Sequence, residues 1–259
     1  MKIAVVTGAS SGIGREFVKQ ISQKYKLDQI WVIARREKRL IELRDQLGAL
    51  IRPLPLDLTD EHCLDQYREI LKAEKPDVSI LVNCSGFGRF GDCNQVPNSD
   101  AMSMIDLNCK ALVSMTDATI PYMHKGAKIF QLGSLSAFQP VPYLNVYAAS
   151  KAFVLSYSRA LNQELKPKGI KVLAVCPGWV KTEFFDHARL SSDSAVTYFN
   201  KVFEPKDIIS TAIKDMEKKN KDVSVHGFSI KAQVLLVKLL PHRTVMRIWT
   251  KQQKHGNKK

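Results

Sequence analysis

The sequence lacks several features that would place it in other protein classes. Its five cysteines are an odd number without the paired spacing of a zinc site, which argues against a disulfide framework and against a bound metal. It also lacks an apolar run of the ~18 residues that cross a membrane, because Lys231, Lys238 and Pro241 interrupt the longest candidate. The short apolar stretch 3–6 runs into a glycine motif and is predicted to be a strand rather than a signal-peptide core. We therefore expect a soluble, cytoplasmic protein without a metal.

Acidic residues are absent from residues 229–259, which carry eight Lys or Arg. The formal net charge of the chain is +14, so this segment supplies more than half of it. Such a positive field attracts anionic cofactors, acidic carrier proteins, nucleic acids or anionic lipids, and charge alone does not choose among them. A solvated helix with a frayed end explains the charge equally well. Because no nucleic-acid motif accompanies it, we expect no nucleic-acid partner.

Strand-like and helix-like patterns alternate along the first 225 residues. Short apolar runs predict strands at 2–6, 29–34, 51–56, 78–82, 127–132, 170–175 and 222–225. Helical periodicity predicts helices at 13–25, 38–47, 60–73, 99–119, 146–165 and 205–218. This alternation indicates βαβ units, hence a parallel sheet covered by helices on both faces. We predict one doubly wound, Rossmann-type α/β domain with a seven-stranded parallel sheet at 1–228, and a basic extension of two amphipathic helices, hinged at Pro241, at 229–259.

The fragment TGASSGIGR at residues 7–15 follows the first predicted strand and opens the first predicted helix. Its glycines, Gly8, Gly12 and Gly14, are spaced G-x-x-x-G-x-G rather than in the common G-x-G-x-x-G dinucleotide pattern. Glycine lets the backbone pass close to a pyrophosphate, and a helix N-terminus offers free N–H groups to an anion. The fragment thus predicts a dinucleotide site, and the alternative is a plain glycine turn between strand and helix.

The end of the second predicted strand lacks the acidic residue that NAD-binding folds place there for the ribose hydroxyl. The strand leads instead into Arg35 and Arg36. A guanidinium at this point, with support from Arg15, forms charge-assisted hydrogen bonds to the 2′-phosphate of NADP. The sequence therefore predicts NADP(H) rather than NAD(H). The alternative is that the two arginines only begin the charged face of the next helix.

Tyr147 and Lys151 lie four residues apart in a predicted helix, so their side chains share one face. An ammonium beside a phenol favours the phenolate and predicts that the pKa of Tyr147 lies below its usual ~10. Alone, Y-x-x-x-K is common and usually marks an exposed helical pair. The ordered set of motifs around it is more specific: the glycine turn, N-C-S-G at 83–86, Ser134, the pair itself, and P-G-W-V-K-T at 177–182.

With these motifs in this order, residues 1 to about 225 resemble a classical short-chain dehydrogenase/reductase. The resemblance implies that Tyr147 is the general acid and base, that Ser134 hydrogen bonds to the reacting oxygen, and that Lys151 tunes the tyrosine and holds the nicotinamide ribose. It also implies that Asn108 helps to hold a water in a proton relay. In many members the serine precedes the tyrosine by thirteen residues, which selects Ser134 over Ser136.

The resemblance further implies that Asp57 contacts the adenine and that Thr182 anchors the nicotinamide carboxamide. The family motif N-N-A-G reads N-C-S-G here, and we expect Cys84 to be a small buried side chain rather than a nucleophile. The residues expected to contact NADP(H) are Gly8, Ser10, Ser11, Gly12, Ile13, Gly14, Arg15, Arg35, Arg36, Asp57, Leu58, Asn83, Gly86, Tyr147, Lys151, Pro177, Gly178, Val180 and Thr182.

Aromatic residues are frequent in the segments expected to border the substrate, which predicts a mainly apolar ligand. They are Phe87, Phe90, Tyr143, Trp179, Phe184, Phe185, Tyr198 and Phe203. The long segment 183–202 is predicted to be a lid. The favoured substrate is a bulky lipophilic alcohol or ketone such as a hydroxysteroid, helped by resemblance to that section of the family. The alternatives are a 3-oxoacyl-acyl carrier protein reductase and a non-catalytic regulator that binds NADP(H).

Family members commonly form dimers or tetramers, so the resemblance implies a homo-oligomer. Apolar stripes bordered by cations in residues 229–259 are typical of a helix on a membrane surface. They are equally typical of a helix that packs on its own domain or on a second subunit, which we favour over peripheral membrane contact.

Overall fold

A computed structural model describes residues 1–189 and 195–256, with side chains up to Gln253. In this part of the chain, seven parallel strands form one sheet in the order β3-β2-β1-β4-β5-β6-β9. The strands of this sheet are β1 (Lys2–Thr7), β2 (Gln29–Ile33), β3 (Ile51–Leu54), β4 (Asp77–Asn83), β5 (Lys128–Leu132), β6 (Lys171–Val175) and β9 (Val223–Ser224). The predicted doubly wound α/β fold is confirmed. Residues 190–194 of the predicted lid and the last three residues of the extension lie outside the described residues.

Helices cover both faces of this sheet and its carboxyl edge. They are α1 (Gly12–Lys24), α2 (Glu37–Leu47), α3 (Glu61–Glu74), α4 (Asn98–Ile105), α5 (Ala111–Thr119), α6 (Asn145–Leu165), α7 (Phe184–Ala188), α8 (Pro205–Met216), α9 (Phe228–Leu239) and α10 (His242–Gly256). In β1, Ala4 and Val6 face one hydrophobic core whereas Ile3 and Val5 face the other, and all four are fully buried. A strand buried on both faces reads as a continuous apolar run, which explains the predicted pattern.

The predicted helix 99–119 is interrupted in the structure. A π-helical turn, Asp106–Lys110, separates α4 from α5, and the N–H of Ala111 bonds to the carbonyl of Asp106, five residues back. Such turns are frequent at functional sites. The turn carries Asn108, which is fully buried.

Gly14 shows how tightly the glycine loop is folded. A Cβ on this residue would lie 2.3 Å from the carbonyl oxygen of Gly8, far inside van der Waals contact. Only a residue without a side chain lets α1 begin this close to the end of β1. The spacing of the motif is therefore a packing requirement that brings the helix N-terminus to the edge of the sheet.

A second, two-stranded sheet was not expected from the sequence. Strand β7 (Trp179–Val180) pairs in parallel with β8 (Val202–Phe203). This pairing brings the two ends of the predicted lid together.

The extension forms the two predicted helices, α9 and α10, on either side of Pro241. Ile230 and Val234 of α9 belong to the hydrophobic core that Ala4 and Val6 face, and Val245 of α10 is buried as well. Within the described residues, we find no helix that is both long enough and apolar enough to cross a membrane.

Candidate active site

A cavity of about 820 Å³ opens at the carboxyl edge of the sheet. The loops that follow β1 to β6 line one side of it, and α9 and α10 line the other. Ligands of open parallel sheets bind at this edge because the strand ends and helix N-termini meet there. The site is thus a single continuous space with a polar half and an apolar half.

The polar half begins at the glycine loop. Ser11 precedes α1, and its Oγ accepts a hydrogen bond from Arg36 at 2.8 Å rather than capping the helix. The first N–H groups of α1 are therefore available to an anion, with the positive end of the helix dipole behind them. The loop residues that line the cavity are Gly8, Ser10, Ser11, Gly12, Ile13 and Gly14. These residues fit a dinucleotide pyrophosphate.

Arg35 and Arg36 both line the cavity beyond this loop. Arg36 donates to the hydroxyls of Ser10 and Ser11 at 3.0 and 2.8 Å and forms an ion pair with Glu183 at 2.8 Å. Arg35 is mostly exposed, and its nearest acid is Asp57 at 3.8 Å. Two guanidiniums thus stand where the adenosine ribose of a dinucleotide is expected.

Arg15 does not support Arg35 as the sequence predicted. Its guanidinium bonds to Gln46 of α2 at 3.0 Å and lies 3.9 Å from Glu42. The residue lies outside the lining of the cavity. Helical geometry explains the difference, because Arg15 lies on the flank of α1 that packs beside α2.

Some of the other residues predicted to contact the cofactor line the cavity, and others do not. Asp57, Leu58, Gly86, Gly178, Val180 and Thr182 line the cavity, whereas Pro177 does not. Asn83 also lies outside the lining: its buried amide donates to Thr116 Oγ1 at 3.0 Å and to Gln131 Oε1 at 2.9 Å. Its role in this structure is to tie β4 to β5 and α5, so direct cofactor contact by the Asn83 side chain is not supported.

Ser134, Tyr147 and Lys151 meet in the middle of the cavity. Ser134 follows β5, and Tyr147 and Lys151 lie on one face of α6. The Ser134 side chain lies close enough to Tyr147 to lower the pKa of the phenol. Lys151 Nζ lies 5.7 Å from the centre of the Tyr147 ring and donates to the carbonyl of Leu132 at 2.8 Å. The structure thus brings together three of the four residues predicted to be catalytic.

The predicted lowering of the Tyr147 pKa is wrong for the protein by itself. Burial raises the pKa of Tyr147 to about 12, and the contact with Ser134 only partly opposes this. Burial also lowers the pKa of Lys151 to about 8. Burial of the two groups disfavours the charged form of each. Helical spacing alone does not reveal this effect.

Asn108 lies behind this group and outside the cavity lining. Its amide accepts from the N–H of Phe87 at 3.1 Å and donates to the carbonyl of Phe87 and to Ser150 Oγ, each at 3.0 Å. Asn108 therefore fastens the loop after β4 to α6. Its predicted part in a proton relay stays a prediction.

The cysteines near Lys151 are neutral thiols. Cys84 is buried, as expected, and burial raises its pKa far above its usual value. Burial likewise raises the pKa of Cys176 to about 12. A thiol that keeps its proton is a poor nucleophile, so these residues act as packing groups.

The apolar half of the cavity is built largely from aromatic rings. Trp179, Phe184 and Phe185 line it, whereas Phe90, predicted to border the substrate, and Phe199 lie outside the lining and contact these rings. The five rings form edge-to-face and tilted contacts with ring centres 4.8–6.3 Å apart. Arg89 also lines this half, but its Nε donates to Asp100 at 2.7 Å. The opposite charges of Arg89 and Asp100 neutralise one another, so the wall of this half is mainly apolar.

The extension forms the remaining wall of this apolar half. Trp249 of α10 donates to the carbonyl of Pro142 at 2.9 Å, in the loop between Ser134 and Tyr147. Gln253 accepts from the N–H groups of Thr197 and Tyr198 at 3.0 and 3.1 Å. The cavity-lining residues of the extension are Gln233, Leu236, Val237, Leu240, Val245, Ile248, Trp249 and Gln252.

A sequence model of the short chain dehydrogenase family matches residues 2–192, which include the glycine loop, Ser134, Tyr147 and Lys151. The chain belongs to the short-chain dehydrogenase family. It is 36% identical over 191 residues to sulfoacetaldehyde reductase 2 of Chromohalobacter salexigens, covering 70% of this chain and 74% of that protein. It is 32% identical over 218 residues to the NADP-dependent 3-hydroxy acid dehydrogenase YdfG of Escherichia coli, covering 82% and 87%.

Solved structures agree with this family assignment. A short-chain dehydrogenase from Sphingobium yanoikuyae in complex with NADPH has a TM-score of 0.78 at 27% identity, covering 95% of each chain. The closed form of a serine dehydrogenase complexed with NADP⁺ has a TM-score of 0.75 at 30% identity, covering 86% of this chain and 94% of that one. A Burkholderia phymatum family member in complex with NAD shares the fold at 21% identity. This chain is therefore an oxidoreductase of the short-chain dehydrogenase family with NADP-dependent relatives.

The extension is the part of this short-chain dehydrogenase whose role the sequence missed. The sequence predicts a basic extension outside the Rossmann-type domain, whereas in the structure it forms one wall of the cavity. Its apolar stripes gave a signal that it packs on something. They did not identify the target, because docking against the loop after Ser134 depends on long-range contacts such as the one from Trp249 to Pro142.

The buried amine of Lys151 predicts a specific pH dependence of stability. Burial lowers its pKa from 10.5 to about 8, so folding opposes its protonation. The full penalty applies below about pH 8, where the amine is charged in both the folded and the unfolded protein. It vanishes above the unfolded pKa of 10.5, where the amine is neutral in both. The free energy of unfolding of the wild type minus that of Lys151→Met should therefore rise by up to about 3 kcal/mol between neutral and alkaline pH.

Urea denaturation of the cofactor-free protein across this pH range measures the difference. The matched control is Lys168→Met, because Lys168 is exposed and its difference from the wild type should stay level. If the difference in unfolding free energy between the wild type and Lys151→Met also stayed constant with pH, the Lys151 ammonium would not be destabilised by burial.

Proposed function

We propose that this chain is an NADP(H)-dependent reductase that interconverts a secondary alcohol and a ketone, with a bulky apolar substrate such as a hydroxysteroid. The observation that carries the proposal is the continuity of the cavity: Ser134 and Tyr147 lie between the glycine loop and the aromatic wall. A ketone held against that wall presents its oxygen to both hydroxyls.

The polar half supports NADP(H). The glycine loop and the N-terminus of α1 bind the pyrophosphate, and Arg35 and Arg36 bind the additional phosphate. Thr182 lies at the inner end of this half, where it anchors the nicotinamide amide. When bound, the cofactor supplies or accepts the hydride.

The protein residues position the substrate and move the proton. Ser134 donates a hydrogen bond to the ketone oxygen, which gathers negative charge as the carbonyl is reduced. Tyr147 Oη gives its proton to that oxygen and completes the alcohol, a role worth roughly 10²–10⁴ in rate. Lys151 keeps most of its charge at neutral pH, because its pKa is about 8, and it favours the tyrosinate that forms.

The raised pKa of Tyr147 supports the reductive direction. A phenol with a pKa of about 12 holds its proton at neutral pH and is ready to donate it. Oxidation of an alcohol requires the phenolate, which these surroundings disfavour without a further positive charge. The cofactor-free site is therefore prepared for proton donation.

The aromatic wall supports an uncharged substrate. The names of two relatives refer to substrates that carry an acid group, sulfoacetaldehyde and 3-hydroxy acids. In this chain, the guanidinium of Arg89 is already paired with Asp100 and also bonds to the carbonyl of His187. Because this cation is satisfied within the protein, the substrate half favours a lipophilic ketone over a small anion.

Tyr147→Phe tests the assignment of the proton donor. Loss of the hydroxyl should lower kcat for ketone reduction by at least about 10² while the dissociation constant for NADPH stays nearly unchanged. Steady-state absorbance of NADPH and fluorescence titration give the two quantities. Tyr157→Phe on the same helix is the control and should retain activity. Full turnover by Tyr147→Phe would rule the assignment out.

Replacing both cavity arginines tests the cofactor preference. Arg35→Gln with Arg36→Gln should weaken NADPH binding by about tenfold or more, since each charge-assisted hydrogen bond is worth ~1.5–3 kcal/mol. Binding of NADH should change much less, because NADH lacks the additional phosphate. Arg44→Gln, on the far end of α2, is the control. Equal weakening for both cofactors would show that the arginines serve the loop rather than the phosphate.

A substrate panel tests the apolar wall. With NADPH, we expect higher kcat/KM for bulky lipophilic ketones than for short 3-oxo acids or 3-oxoacyl thioesters. Ile248→Gln, which puts an amide into the wall, should raise KM several-fold for a bulky ketone and leave a small ketone unaffected. Leu235→Gln changes a residue outside the lining and should alter neither. Preference for the thioester would support the acyl reductase alternative instead.

A further inference from the structure

Helix α9 is apolar on two opposite faces. Its inner stripe, Ile230, Val234 and Val237, is at most 8% exposed and packs on the domain. An outer stripe of large apolar residues, 54–88% exposed, consists of Phe228, Leu235, Leu236 and Leu239. A helix that is apolar all round is normally covered on every side. The outer stripe therefore calls for a partner.

Basic side chains accompany this outer stripe on α9 itself and on the next helix, α10. At ~100° per residue, Lys231 and Lys238 fall together on one flank of α9. On α10, Arg243, Arg247 and Lys251 recur at every fourth position and form a line of exposed cations. Residues 229–259 contain no Asp or Glu to offset them. The partner has to accept apolar side chains and positive charge side by side.

A second copy of the chain meets only the first of these requirements. In a two-fold dimer through α9, the same patch faces itself, so lysines and arginines of the two copies would approach one another. Juxtaposed like charges act against such a pairing. An anionic bilayer meets both requirements, because apolar side chains enter the acyl boundary while the cations stay at the level of the phosphates.

We propose that the outer stripe of α9 and the basic line of α10 dock this protein on an anionic lipid surface. Leu236 and Ile248 are half exposed and also line the cavity, so the docked surface borders the mouth of the cavity. An apolar substrate dissolved in the bilayer then reaches Tyr147 without crossing water. This last step rests on the proposed function, whereas docking does not.

Vesicle sedimentation with the full-length protein tests the docking. The protein should sediment with phosphatidylcholine vesicles that contain phosphatidylglycerol and remain in solution with phosphatidylcholine alone. Leu235→Gln with Leu239→Gln should abolish most of the binding at unchanged net charge. Arg243→Gln, Arg247→Gln and Lys251→Gln together should weaken it by about fivefold per cation removed, and high salt should do the same.

Matched controls separate docking from net charge and from folding. Lys166→Gln, Lys168→Gln and Lys219→Gln together remove three exposed cations elsewhere, and Met102→Gln with Ile105→Gln removes two exposed apolar side chains of α4. Both controls should bind vesicles like the wild type. Every variant is expected to bind NADPH normally, which checks that it is folded. The docking test therefore remains valid even if the protein does not reduce ketones.

Equal sedimentation with both kinds of vesicle, or wild-type binding by the Leu235 and Leu239 variant, would overturn the proposal. So would a concentration-dependent dimer, seen by analytical ultracentrifugation, that this variant dissociates, because a second copy would then cover the outer stripe.

Discussion

The hydrogen bond from Lys151 Nζ to the carbonyl of Leu132 joins α6 to the end of β5, and the geometry of the site follows from it. Lys151 is 3% exposed, and its amine lies beside Gly86, where a Cβ would be 2.7 Å from Asn108 Oδ1 and 3.3 Å from Nζ. A glycine is therefore required to admit both polar groups. With the amine fixed, one turn of helix places Tyr147 against Ser134. The burial that this contact demands raises the pKa of the phenol and lowers that of the amine.

The two halves of the cavity come from different parts of the chain. Residues up to about 60 build most of the nucleotide half, and residues from Trp179 to Gln252 build much of the substrate half. Ser134, Tyr147 and Lys151 lie between them in sequence and in space. The family match ends at residue 192, before the cavity-lining helices α9 and α10 begin. Membership in the family therefore describes the chemistry better than it describes the substrate.

The sheet and its helices were predictable because each strand and helix carries its own local signal. The order of the motifs likewise predicted the meeting of Ser134, Tyr147 and Lys151 at one edge. Properties that depend on packing were not predictable: the pKa of Tyr147 follows burial, the partner of Arg15 follows the position of α2, and the π turn at Asn108 is a one-residue insertion within an even helical pattern. The sequence favoured packing of the extension on its own domain or on a second subunit, but the place where α9 and α10 pack was not predictable for the same reason, since an apolar stripe does not specify its target.

Glu183 connects the nucleotide half of the cavity to the substrate half. It begins the segment that leaves β7, and it accepts from both Arg36 and Arg39 at 2.8 and 3.0 Å, which holds its pKa below the usual range. A ligand anion that binds the Arg36 guanidinium competes with this carboxylate, whereas the bond from Arg39 still holds Glu183 at the start of the segment that carries Phe184 and Phe185. By reciprocity, whatever holds that segment in place changes the affinity for the anion by the same factor. Anion binding at Arg36 and the ion pairing of Glu183, at the start of the aromatic segment, are thus thermodynamically linked.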